Sequence, residues 1–256
     1  MEIATKKKRR RARFRISFIV LFILLAFVFS FTMYMKNDAD LSIFPSLFPA
    51  ENMPEIKTPD RVIYQSVSEN PVPESAAKNA SYFDECFFIG TKELSGLYEY
   101  DFVSNNNIVS DDSVNSSNVG GLVVRRGNAN MSIKNVILDE GFEAVYLSFL
   151  PTDKLDTEKL RDFTGDILSN SPETQIYIIS VLPVSDETII TNTAVDTFNS
   201  KLLTAADDLA INFIDANTTF KGNDGKLKSE YLSSNGKINR DGYATLANFL
   251  LNHTRG

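Results

Sequence analysis

The chain of 256 residues has one cysteine, Cys86, and one histidine, His253. A single cysteine excludes an internal disulfide framework and any cysteine-rich zinc site. His253 stands fourth from the end, which removes most routes to histidine-based catalysis or metal binding. Carboxylates alone do not replace those ligands, because no stretch has the D-x-D-x-D-G spacing of a calcium loop. The nearest candidate, Gly222-Asn223-Asp224-Gly225, has too few acids for a cation and reads as a turn. No metal and no cofactor is therefore expected, and no internal repeat is visible. Basic charge is also scarce outside the amino terminus. The formal net charge is −7, residues 1–15 carry eight Lys or Arg and one Glu, or +7, and the remainder sums to −14. So acidic a body repels backbone phosphates, which argues against a nucleic-acid partner.

What the chain does have begins with that basic run, Lys6 to Arg15, followed by Ile16 to Met35 without a charged residue. About 20 apolar residues at 1.5 Å per residue span the roughly 30 Å hydrocarbon core of a bilayer. A cleaved signal peptide has a shorter apolar region ending in a small-residue site. Neither feature is present, so the run reads as an uncleaved transmembrane helix. Basic residues on its amino side place residues 1–15 in the cytoplasm and the rest outside, as a single-pass plasma-membrane protein. Residues 36–80 hold six of the nine prolines and no sustained period, and read as an extracytoplasmic stalk. The globular domain is then expected at 81–256.

Within it, apolar runs of strand length alternate with amphipathic stretches of helix length, the pattern of a parallel sheet covered on both faces. The predicted strands are Cys86 to Ile89, Gly121 to Val124, Ala144 to Phe149, Gln175 to Leu182 and Asn212 to Ile214. The predicted helices are Glu93 to Tyr100, Ser132 to Glu140, Thr157 to Asn170, Ala194 to Leu209 and Asp241 to Asn252. Right-handed crossovers arrange these as a three-layer α/β/α sandwich with a mostly parallel, flavodoxin-like sheet. In such folds, the turn after the first strand faces ligands at the carboxyl edge of the sheet. That turn is Gly90-Thr91-Lys92.

The blocks FFIGTKELSGL, EAVYLSFLPTD, TQIYIISVLPV, INFIDANTTF and LSSNGKINRDGYATLANFL follow the order and spacing of a known family. They resemble the SGNH/GDSL hydrolases over about residues 81–251. In that family the first block reads G-D-S-x-T-x-G-L, with the serine as nucleophile. Gly90, Gly96 and Leu97 match it, whereas Thr91 stands at the aspartate and Lys92 at the nucleophile. The family's G-x-N-D block corresponds to Leu150-Pro151-Thr152-Asp153, which keeps only the aspartate. The family's D-x-x-H places Ser234 at the acid and Lys237 at the base, and Gly127 is the nearest match to the second-block glycine.

Serine hydrolysis needs a base for the nucleophile's proton and donors for the oxyanion. Lysine at the nucleophile position cannot form an acyl ester that water turns over. A Ser95–Lys92 dyad is the one rescue with suitable spacing, although a serine on a first helical turn is more often a cap. Asp153, Asp215 and Asp241 read as loop or capping acids. The resemblance thus implies no catalytic residues and a degenerate cleft formed by Gly90, Thr91, Lys92, Ser95, Gly127, Thr152, Asp153, Ser234 and Lys237. Lys92 and Lys237 would give that cleft an anionic ligand, such as an envelope polymer. The expected function is binding or scaffolding of a polymer or protein partner at the bacterial cell envelope. The alternative is an active esterase or O-acyl hydrolase on envelope glycans using a non-standard residue set.

Overall fold

A computed structural model of the chain describes residues 69–151, 154–186 and 189–255. The basic segment 1–15, the apolar run 16–35 and the proline-containing segment to residue 68 lie outside the described residues. No helix among the described residues is long and apolar enough to cross a membrane.

Short, mostly apolar runs give strands that are largely buried on both sides, with only the edge strand Ile108–Ser110 half-buried. These are β1 (Cys86–Gly90), β2 (Ile108–Ser110), β5 (Ala144–Leu147), β6 (Gln175–Ile179) and β7 (Asn212–Ile214). They form one parallel sheet in the order β2-β1-β5-β6-β7. Between β2 and β5 lies a separate antiparallel hairpin of β3 (Val123–Arg126) and β4 (Ala129–Ser132). The helices are α1 (Ser95–Glu99), α2 (Ile133–Glu140), α3 (Thr157–Asn170), α4 (Asn192–Leu209), α5 (Ala216–Phe220) and α6 (Arg240–Asn252).

Alternate strand residues divide between the faces. Phe87, Ile89, Val145, Leu147, Ile176 and Ile178 pack with Ile137 of α2, Leu160 and Phe163 of α3, and Phe198 and Leu202 of α4. Phe88, Tyr146, Tyr177 and Ile214 pack on the other face with Leu97 of α1, Phe220 of α5, and Tyr243, Leu246 and Leu250 of α6. The expected parallel α/β arrangement with helices on both faces is therefore the one formed. Helix starts are local: Asp156 accepts from the Lys159 N–H to cap α3, and Thr191 accepts from the Ala194 N–H to cap α4. On α3, Leu160, Phe163, Thr164 and Ile167 recur at helical spacing and are buried.

Two strand assignments change. Ile108–Ser110 is a sheet strand that the sequence reading passes over, because three residues behind an Asn-rich turn carry almost no pattern. Gly121 to Val124, expected in the sheet, instead runs into the hairpin. Gly127 takes φ 59° there, which turns the chain back on itself, and the strand alternates between exposed and half-buried residues.

The chain just before residue 81 packs on the sheet. Residues 70–78 are fastened along β7 and the end of α6, since Val72 N–H donates to the Phe213 carbonyl at 2.8 Å and Lys78 N–H to the Leu251 carbonyl at 3.0 Å. Asn70 Oδ1 accepts from the Phe213 N–H at 2.8 Å, while its Nδ2 donates to the Ile211 carbonyl and the Asp207 carboxylate. Arg255 donates to the Glu69 carbonyl and to Asn212 Oδ1. A polar side chain and a short extended stretch thereby cover the outer edge of the last strand. Replacing Asn70 by Ala should lower stability by about 1–3 kcal/mol by stranding the Phe213 N–H. Urea unfolding measures this, and an unchanged midpoint would show that the strap contributes nothing to the edge.

Candidate functional site

The carboxyl edge of the sheet carries the turn after β1, and its shape is set by close packing. A Cβ on Gly90 would lie 2.7 Å from the Ser148 carbonyl oxygen and 2.8 Å from the Leu94 side chain. Gly96 is tighter still, because a Cβ there would fall 2.1 Å from the Tyr243 ring. Those two glycines let α1 and α6 meet beside β1, and the Tyr243 hydroxyl donates to the Glu93 carbonyl at 2.6 Å. Burial, helped by the charges of Glu93 and Glu99, pushes the Tyr243 phenol up to about 12. It remains a donor at ordinary pH, so this link between the first and last blocks is not lost by titration.

Side chains on the turn face different ways. Thr91 is buried and its hydroxyl donates to the Glu93 carboxylate, while its carbonyl accepts from the Ser110 hydroxyl at 2.9 Å. Lys92 is exposed and lies near Asp111, whose N–H donates to the Gly90 carbonyl. Ser95 is half-buried, and its backbone N–H donates to the Lys92 carbonyl. No hydrogen bond joins the Ser95 hydroxyl to the Lys92 ammonium among the described residues, so the dyad is not assembled.

Before α6, the chain makes two tight turns of one design. Lys221 bridges Leu227 around Gly222–Lys226, and Leu232 bridges Ile238 around Ser233–Lys237. In the first, Gly222 N–H donates to the Lys226 carbonyl, Gly225 N–H to the Gly222 carbonyl, and Lys226 N–H to Asp224 Oδ1. In the second, Ser233, Gly236 and Lys237 make the same three bonds, the last to Asn235 Oδ1. Gly225 and Gly236 take φ 79° and 78°, the left-handed conformation that each turn requires. This is an internal repeat at a separation of 11 residues, [Asp/Asn]-Gly-Lys-[Leu/Ile], which the sequence reading does not register because only four positions echo. The expected acid and base positions, Ser234 and Lys237, are both exposed in the second turn and share no bond with Lys92. Asn239 fixes this loop to α6, accepting from the Gly242 N–H and donating to the Glu230 and Leu232 carbonyls.

Gly127 does not join this edge. It tips the β3–β4 hairpin beside Arg126, which pairs with Glu140 at the end of α2 and lies 5.4 Å over the Phe87 ring near the start of β1. That is the amino end of the sheet, about 12 Å from the start of the eight-residue α2. The long hairpin inserted before α2 is the physical reason for the mismatch. Thr152 and Asp153 lie outside the described residues. Asp215 caps α5, bonding the Thr218 hydroxyl and N–H. No group of His, Cys, Asp or Glu suited to a metal occurs among the described residues.

His253 ends α6. Its Nδ1 is 2.8 Å from the Phe249 carbonyl and its ring stacks on Phe249 at 3.8 Å. The 13 residues of α6 put it about 20 Å from the helix start that adjoins the site.

No family model matches the chain, and no curated protein is similar to it. One solved structure, described as a lipolytic protein of the G-D-S-L family from Desulfitobacterium hafniense, shares 13% identity over 66% of this chain and 98% of its own, with a TM-score of 0.46. An acetylxylan esterase from Geobacillus stearothermophilus shares 12% over 71% and 95%, at 0.44. The periplasmic domain of a lipopolysaccharide acetyltransferase from Salmonella ser. Paratyphi A shares 15% over 77% and 96%, at 0.43. At these identities the likeness concerns fold alone.

Asp111, which the sequence reading does not single out, is the acid beside the turn. The Ser113 hydroxyl and N–H hold its carboxyl below the usual carboxylate range, with Lys92 adding a smaller pull. A lowered pKa means that folding favours the ionised form, so this contribution is present above about pH 4 and is lost as pH falls through the folded value. Ser113→Ala should raise the Asp111 pKa toward the ordinary value, and Lys92→Ala should raise it less. Carboxyl-detected NMR titration checks the order, and a larger effect from Lys92→Ala would reverse the assignment of cause.

Proposed function

We propose that this protein is a membrane-anchored, extracytoplasmic SGNH-like protein that has lost ester hydrolysis and acts by binding or scaffolding at the bacterial cell envelope. The observation that carries the reading is the position of the one histidine. A general base must come within about 3 Å of the group it deprotonates. His253 is a helix length from the β1 turn and is engaged with Phe249. At the nucleophile position Lys92 has an acidic neighbour, Asp111, rather than a base, and Ser234 and Lys237 belong to a self-contained turn.

The anchor reading rests on the uncharged run Ile16 to Met35 behind a basic cluster. The ligand reading rests on lysines standing where the family places its nucleophile and base. An anionic polymer of the envelope, or a protein partner, suits such an edge better than a neutral ester.

Short-chain acyl ester turnover by the full chain in detergent tests the loss of hydrolysis. The expected result is a rate indistinguishable from buffer, for the parent and for Lys92→Ala and Ser95→Ala alike. Turnover by the parent that either substitution abolishes would establish the active O-acyl hydrolase instead.

A further inference from the structure

Beside α2 and α3 lies a cavity of about 330 Å³ that shares no lining residue with the β1 turn or the doubled turn. That volume is at the lower end of the range for small-molecule sites. One wall is the 3-10 turn Val119–Gly121, which brings Gly120 and Gly121 to the cavity without side chains. A Cβ on Gly120 would stand 3.6 Å from Phe163 of α3, in ordinary contact, and one on Gly121 would meet nothing within 4 Å. The backbone there is open to a ligand at close range. The loop that carries it is also fixed in advance. Asn115 Oδ1 accepts from the Ser117 and Asn118 N–H groups at 3.0 and 3.1 Å, and Asn118 Oδ1 accepts from the Asn115 N–H at 2.9 Å. The Gly121 N–H donates to the Asn118 carbonyl at 2.8 Å, and Ser116 Oγ accepts from the Asp156 N–H at 2.8 Å, which ties the loop to the start of α3. A preformed wall lowers the ordering cost of binding.

Two lysines and two acids line the same cavity, so its charge is balanced. Lys134 Nζ of α2 donates to Asp166 Oδ2 of α3 at 2.7 Å, which uses one of its three donors. Lys159 and Asp162 of α3 stand 3.9 Å apart, too far for a hydrogen bond. A hydroxyl between them can donate to the acid and accept from the lysine. The Ser117 hydroxyl, on the same lining, makes no hydrogen bond among the described residues. Exposed pairs of this kind contribute little to folding. We infer that this cavity binds a neutral saccharide. An ion would pair with one charge of a bridge at the expense of the other. Adjacent hydroxyls of a sugar ring, each both donor and acceptor, join a lysine and an acid without displacing either. This ligand is separate from the one proposed for the carboxyl edge.

Saturation-transfer NMR on the full chain, in a detergent without sugar headgroups, tests the site. The probes are cellobiose, lactose and N,N′-diacetylchitobiose, with alanine as a zwitterion. Gly121→Leu fills the cavity where an added side chain meets no neighbour, so the fold is kept, and Asp162→Ala removes one exposed acceptor. Lys201→Leu on α4 is the control. The expected result is transfer to at least one disaccharide and none to alanine. Gly121→Leu and Asp162→Ala should each weaken that binding about fivefold, and Lys201→Leu should match the parent. Saccharide binding that neither cavity variant weakens overturns the cavity as the site. Transfer to alanine alone, or to none of the probes, overturns the saccharide assignment.

Discussion

The position of everything at the carboxyl edge depends on the register of five parallel strands, and three stacked rings mark that register on the central three. Phe88, Tyr146 and Tyr177 sit at paired positions on β1, β5 and β6, with ring centroids 4.8 Å apart at both steps and nearly parallel planes. A slip of one residue would turn every ring to the opposite face. The ladder thus fixes where β1 ends, and with it the height of the Gly90 turn relative to Ser148. Its cost is visible too. The Tyr146 hydroxyl is fully buried with Tyr82 as a polar neighbour, and burial drives its phenol well above the ordinary range. Stacking and burial of three rings, each burial contributing roughly 1.5–3 kcal/mol, outweigh the cost of burying that hydroxyl.

The frame of the fold was legible in the sequence because its strongest signals are periodic. Cys86 to Ile89, Ala144 to Leu147 and Ile176 to Ile179 are unbroken apolar runs, and the Thr157–Asn170 helix has a capping Asp before it and a clear apolar stripe. Edges were less legible. Three-residue β2 and five-residue α5 are held by neighbours rather than by their own pattern. The strap at 70–78 is also set by long-range contacts, through Asn70 and Val72 to Phe213, which no local window contains.

The site divides in the same way. Gly90 and Gly96 were identifiable because they match the first block of the family that the sequence resembles, and the close approaches of Ser148 and Tyr243 give the steric reason for them. Gly127 misled, since a glycine in a hairpin tip looks the same in sequence as one beside a cleft. Asp111 and the Tyr243 hydroxyl had no signal of their own, as their roles come from what the fold places beside them. The doubled turn was hidden because only the Asx-Gly-Lys core recurs, while the surrounding residues diverge.

The strap carries one further meaning. Any pull on the described domain through the chain at residue 69 arrives at Asn70 and Val72 on β7, and at Arg255, where Glu69 and Asn212 are held together. Tension would therefore be shared between the outer strand and the carboxyl terminus. The first turn, on β1, lies three strands inward and at the other end of the strands from that point of loading.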